Sequence, residues 1–424
     1  MLTKFKQLFS KKNKELRKRI LFTIFGLAIF VIGTTIVIPL KEVQAIEKNL
    51  GFLELLNVMS GGALQRFSIF ALGVSPYITA SIVIQLLEMD IVPYFAELAK
   101  QGHTGRQKLN QITRYVGIAM AFFQGYAFAY AYLNNATPIV HVKVALILTA
   151  GTAFTLWLGD QITQKGIGNG ISLLIMAGIV TSLPQMFIDS YNYLLGAEST
   201  FSLTNGIIWF GVFVLVYILI IVGIIFVEQA ERRIPIQYAN RSSAALGKQT
   251  FMPIKINSAG VIPVIFASAL LGVPATVAQF IGKESVTNFI DNYITYTSNT
   301  GLIIYILLIF FFGYFYTFMQ LKPEDMSKNL QDNGGYIPGV RPGKSTETYF
   351  KQIIGRLTVS GSFLLMVLAV IPILVTKLTT LPKSVTLGGT GLLIVVGVAI
   401  ETFKQFESAL SSTDYKESYR RRRR

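Results

Sequence analysis

The chain is 424 residues long, carries a formal net charge of +16 and contains no cysteine. Hydrophobic residues make up 52% of it and charged residues only 14%, against the roughly one-quarter charged residues of a soluble domain. This composition excludes a soluble globular protein and indicates a polytopic membrane protein, and the absence of cysteine excludes disulfides and thiolate metal sites.

A basic N-terminus, 1–19, opens the chain. The apolar run behind it has no small-residue cleavage site, so it reads as a retained first span instead of a signal peptide. Apolar stretches of bilayer length predict spans near 20–40, 76–89, 113–133, 144–160, 170–188, 206–227, 257–280, 301–321, 353–376 and 388–403. The expected fold is therefore all-α, with ten transmembrane helices. Residues 20–195 form an N-terminal half with helices 1–5, residues 196–404 a C-terminal half with helices 6–10, and 405–424 a basic tail. An odd number of spans per half sets the second half in opposite topology to the first, the arrangement of inverted-repeat transporters and channels. No sequence repeat is evident.

Lys and Arg set the orientation, because positive charge in short loops stays cytoplasmic. With the N-terminus inside, the termini and the inner loops 89–112, 161–169, 228–256 and 322–352 hold most of the 38 Lys and Arg. The outer loops hold only Lys41, Lys48, Lys143, Lys283, Lys377 and Lys383. Both termini are expected in the cytoplasm. The five arginines Arg420 to Arg424 read as a solvated, topology-anchoring tail that could also cling to anionic lipid or RNA.

Residues 60–87 are long enough to cross a bilayer but are broken by Gly61, Gly62, Gly73 and Pro76. A broken helix at membrane depth frees backbone groups that lipid cannot satisfy, so it must pack inside protein or line a cavity. No Lys, Arg, Asp or Glu is expected near the middle of a span; Asp160, Arg356 and Glu401 fall at span ends. That counts against a small-solute secondary transporter or proton-coupled pump. Neither a Ser-His nor a paired-Asp constellation lies within the spans, and the only histidines, His103 and His141, fall in loops on opposite sides. An intramembrane hydrolase or transferase is thus disfavoured, no metal or cofactor is expected, and the chain reads as a conduit.

Five motifs occur in order: Ser60-Gly-Gly-Ala-Leu with Ser68-Ile-Phe-Ala-Leu-Gly and Pro76-Tyr-Ile-Thr-Ala-Ser; Trp157-Leu-Gly-Asp-Gln with Gly166-Ile-Gly-Asn-Gly; Asn257-Ser-Ala-Gly-Val-Ile-Pro; Gly339-Val-Arg-Pro-Gly; and Gly388-Gly-Thr-Gly-Leu. In wording and spacing they resemble the SecY/Sec61-alpha family, the channel subunits of protein-export translocons. The resemblance implies two inverted pseudo-symmetric halves around a central pore, with a plug half-helix near 52–67 that includes Met59, Ser60, Gly61, Gly62, Ala63 and Leu64. It places an aliphatic pore ring on Val74, Ile78, Ile171, Ile175, Ile265 and Ile394, which would pass polypeptides yet hold back ions. Polar lateral-gate positions fall on Thr79, Gln124 and Asn257. Docking positions for the SecA motor or the ribosome fall on Arg106, Lys108, Arg232, Arg233, Arg241 and Arg341; guanidinium suits both partners, forking onto carboxylate and phosphate.

The implied function is passage of unfolded, signal-bearing preproteins across the plasma membrane, and insertion of helices into it. The implied partners are SecE, SecG, SecA, the ribosome and membrane lipids. Gln107 and Asn240 stand where the family usually has basic residues, and the loop before Phe251 is short. These departures admit an accessory paralogue with restricted clients.

Overall fold

The computed structural model describes residues 14–40, 54–88, 92–133, 137–196, 203–238, 250–281, 284–295, 298–379 and 383–422. The elements run α1 (Lys14–Thr35), α2 (Glu54–Met59), α3 (Ser75–Leu87), α4 (Pro93–Lys100), α5 (Gly102–Tyr132), α6 (Pro138–Lys165), α7 (Gly170–Leu195) and α8 (Leu203–Gln229). Two strands follow, β1 (Glu231–Tyr238) and β2 (Thr250–Lys255), then α9 (Ile262–Ile281), α10 (Glu284–Tyr293), α11 (Asn299–Gln320), α12 (Pro323–Asp332), β3 (Gly335–Tyr336), α13 (Lys344–Thr379) and α14 (Lys383–Arg422).

A helix stands at each of the ten predicted segments. Among the described residues five stretches, Pro138–Lys165, Gly170–Leu195, Thr204–Gln229, Asn299–Asp332 and Lys344–Val375, are long and apolar enough to cross a membrane. Their starts obey local rules. Proline occupies the first turn of α3, α4, α6 and α12, where its missing N–H has no helical partner to lose. Asn169 caps α7 by accepting from the Ile171 and Ser172 amides, and Ser298 caps α11 through the Gly301 amide.

Within the first part of the chain α5 packs on α3 and α6; within the second, α11 packs on α9 and α13, and α13 on α14. The two parts meet along two seams. On one, α9 lies against α3 and α5; on the other, α14 and α8 lie against α7. One apolar cluster crosses both seams, with Ile78, Ile175, Ile265 and Ile394 among its members.

The all-α expectation needs correction, because β2-β1-β3 form a three-stranded antiparallel sheet. Glu231 pairs with Lys255, Ile236 with Thr250, and Gln237 with Tyr336. Ile234 and Ile236 face inward on alternate positions, and they pack with Ile254, Leu330, Ile337, Phe350 and Ile354 into a small separate core. That core ties the hairpin to α12 and to the base of α13. A search for apolar runs of bilayer length passes over an alternation this short. The same search underestimates helix length: α5 starts at Gly102 and α13 at Lys344, because polar turns continue a helix beyond the hydrocarbon.

Phe350 is fully buried in the small core. Phe350→Ala should cost about 3–5 kcal/mol locally and free the hairpin while the long apolar helices persist. Limited proteolysis should then show faster cleavage confined to residues 230–256 and 322–343.

Candidate pore, plug and gate

The short helix α2 ends at Met59, and the chain turns through Gly61 and Gly62, whose φ angles of 74° and 78° belong to the left-handed region glycine favours. The turn satisfies itself: the Gly62 amide donates to Asn57 O (2.8 Å), Ser60 Oγ to Asn57 O (3.0 Å), and the Gln65 amide to Asn57 Oδ1 (3.0 Å). Ser60, Ala63 and Leu64 are buried. This segment sits directly on α7. A Cβ at Gly178 would collide with the Met59 carbonyl, so only glycine allows the approach. Ser182 Oγ donates to Val58 O at 3.2 Å. Beside the contact lies a cavity of about 270 Å³ of mixed lining, with Asn57, Gln65 and Arg66 from this segment and Thr181, Ser182, Met186, Ile188 and Asp189 from α7.

Beneath the segment, Leu56, Met59 and Ser60 face Val74, Ile78 and Ile175 across a residual space of about 10 Å³. That holds about one water molecule. Of the six residues expected in a ring, Val74, Ile78, Ile175, Ile265 and Ile394 are buried in the main cluster, and Ile171 is half-buried against it. They come from the start of α3, from α7, from α9 and from α14.

No side-chain hydrogen bond joins Thr79, Gln124 and Asn257 to one another among the described residues. Thr79 is buried and donates to Ser75 O of its own helix (3.3 Å), while Gln124 is half-buried. Asn257 Nδ2 donates instead to Glu228 Oε1 (2.6 Å) and to Gly260 O (3.0 Å). Sequence reasoning passed over Glu228, because it closes the apolar run of α8 and was read as loop. It also passed over the ion pair between Arg114 of α5 and Asp160 of α6; an acid at one span end facing a base at the next was the available signal.

Arg106 and Lys108 are exposed on the first turns of α5. Arg232 and Arg233 are exposed on β1, and Arg233 Nε pairs with Glu231 Oε1 at 3.0 Å. Arg341 is exposed between Gly339 and Gly343, whose φ angles of 81° and 94° turn the loop sharply on both sides. Arg241 and Asn240 lie outside the described residues.

Fold and site together define a membrane protein of packed apolar helices with an irregular segment seated in its interior against aliphatic side chains. Residues 68–403 match the sequence model of the family SecY. The protein translocase subunit SecY of Staphylococcus carnosus is 48% identical over 420 residues, covering 96% of this chain and 97% of the relative. Among solved structures, a protein-conducting channel superposes with a TM-score of 0.66 at 21% identity, covering 94% of this chain and 93% of the other. Sec61 in the canine ribosome–channel complex from the endoplasmic reticulum gives 0.63 at 19%, with the same coverage. The chain belongs to the SecY family.

Since the chain has no cysteine, a single introduced thiol reports on the seat without background. Ser60→Cys should be nearly inert to maleimide. Adding Gly178→Val, which pushes a branched side chain into the Met59 carbonyl, should speed labelling several-fold; unchanged labelling would mean that α7 does not hold this segment.

Proposed function

We propose that this chain is the channel subunit of a protein translocase, passing unfolded, signal-bearing preproteins across the plasma membrane and releasing helices sideways into it. The observation that carries the reading is the seating of Leu56, Met59 and Ser60 on Val74, Ile78 and Ile175, with room for about one water between them. A constriction of flexible aliphatic side chains closed by a separable segment suits a cargo of varied size, because it seals by contact and dewetting and carries no fixed ligand geometry. Under this reading the helices at the ten apolar segments all span the bilayer, residues 20–195 and 196–404 are the two halves, and both termini are cytoplasmic. The channel itself is a conduit, and chemical energy comes from a partner.

SecE and SecG are the proposed membrane partners, and SecA or the translating ribosome the proposed driver. The exposed Arg106, Lys108, Arg232, Arg233 and Arg341 support a docking face of that kind, as does the ribosome-bound state of the distant canine homologue. A small-solute transporter would need ionisable groups along its path. The test is reconstitution in vesicles with SecE and SecA, measuring ATP-dependent import of a signal-bearing preprotein against amino-acid uptake. Import without uptake is the expected result.

Two substitutions examine the parts. Ile78→Gly combined with Ile265→Gly removes bulk from two helices of the proposed ring, α3 and α9, and resting ion conductance in planar bilayers should rise while the protein stays folded. Wild-type conductance would discard the ring assignment. Arg341 is presented by a turned loop whose positive charge is already supplied by Lys322, Lys328, Lys344 and Lys351, so orientation should survive its loss. Arg341→Glu should abolish SecA-driven import, and Arg341→Lys should weaken it, because lysine keeps the charge but loses the planar fork. Preprotein-stimulated SecA ATP hydrolysis on vesicles with equal amounts of each variant measures the effect.

A further inference from the structure

Glu228 is the penultimate residue of α8 and only 5% exposed. Two residues later the chain leaves for the β1–β2 hairpin and returns at Asn257. Two bonds close the base of the loop: the Ile256 amide donates to Ala230 O (2.9 Å), and Asn257 Nδ2 donates to Glu228 Oε1 (2.6 Å). Both partners of the Asn257 amide, the Glu228 carboxylate and the Gly260 carbonyl, can only accept. They therefore dictate which way the amide faces and use both of its N–H groups. The clasp is also boxed in. A Cβ at Gly361 of α13 would run into Ile256 O, and Lys255 and Lys404 stand within electrostatic reach of the carboxylate.

On one side of the clasp is the hairpin with the exposed Arg232 and Arg233; on the other, past Gly260, begins α9, the helix packed on α3 and α5. We propose that Glu228 is a positioning residue that couples the hairpin to the seam: by holding Asn257, it makes a displacement of the docked hairpin move the start of α9. The carboxylate acts through reach, since its oxygen must meet the Asn257 amide. A side chain of the same length that can accept should replace it, and a shorter one should not. The inference rests on the channel reading above, in which a docked partner opens the seam.

The test uses the full chain with SecE in vesicles, carrying spin labels at Val83→Cys on α3 and Leu270→Cys on α9, both exposed positions. Distances across the seam are measured with and without SecA and a non-hydrolysable ATP analogue. The parent pair should lengthen when SecA binds. Glu228→Ala should bind SecA equally well yet lose most of the distance response. Glu228→Gln, which keeps length and an accepting oxygen but no charge, should retain the response. Glu228→Asp, which keeps the charge but is one methylene short, should reduce it several-fold. Should Glu228→Ala fail to assemble, the Gln and Asp variants decide alone, and a response that follows charge instead of length overturns the proposal. A full response in Glu228→Ala also overturns it and leaves the channel reading intact. A parent that neither responds nor imports preprotein overturns both.

Discussion

Hydrocarbon offers no hydrogen bond to a peptide group, and residues 60–74 of this chain are turns lodged inside a bundle of apolar helices. The surrounding protein therefore has to supply what lipid cannot. The strip after α1 pairs with it, the Ile38 amide donating to Phe67 O and the Ile69 amide to Ile36 O. Thr155 Oγ1 from α6 reaches Gly73 O at 3.3 Å. Such an irregular segment can exist at membrane depth only where it is buried in protein, and its turns take up the chain that would otherwise lengthen α3.

How the segment is satisfied also decides whether it can move. Around Asn57 to Gln65 the polar groups bond chiefly within the segment, so the turn can travel as a unit without exposing new unsatisfied groups. Its hold on α7 is shape, the bare backbone of Gly178 against Met59, plus one hydroxyl bond from Ser182. Interhelical side-chain bonds of that kind average about 0.6 kcal/mol in membranes. Under the proposed channel reading, contact of this sort would exclude ions while the segment is seated and would offer little resistance to leaving.

Most of this architecture was legible in the sequence, for reasons of scale. A bilayer imposes a length of about 20 apolar residues, and a helix stands at each of the ten segments read this way, five of the described helices being long and apolar enough to cross a membrane. The features that escaped reading lie at the edges of those windows. The β1 alternation of Ile234 and Ile236 is short, and α4, α10 and α12 fall within stretches read as loops. Glu228 looks like a loop charge and Arg114 like a lone charge at a span end until their partners Asn257 and Asp160 are seen in space. Asn257 was legible as a polar residue near a helix start, but its bond to α8 was not, because the hairpin that brings the two together was itself unread.

The proposed ring residues come from α3, α7, α9 and α14, and these are also the helices that make the seams between the two parts of the chain. Under the proposed channel reading, the seal and the seam are therefore one mechanical object. On that reading, moving α9 away from α3 and α5 would carry Ile265 away from the helix that holds Ile78, so a lateral opening would not leave the ring intact. The opposite seam, where α14 lies on α7, would keep the helices that carry Ile394 and Ile175 together in the same motion. Under the same reading, a hinge there and an opening at α9 would widen the proposed ring asymmetrically, toward the α3 and α5 side, so that a chain in transit would meet the bilayer on the side where the seal had parted.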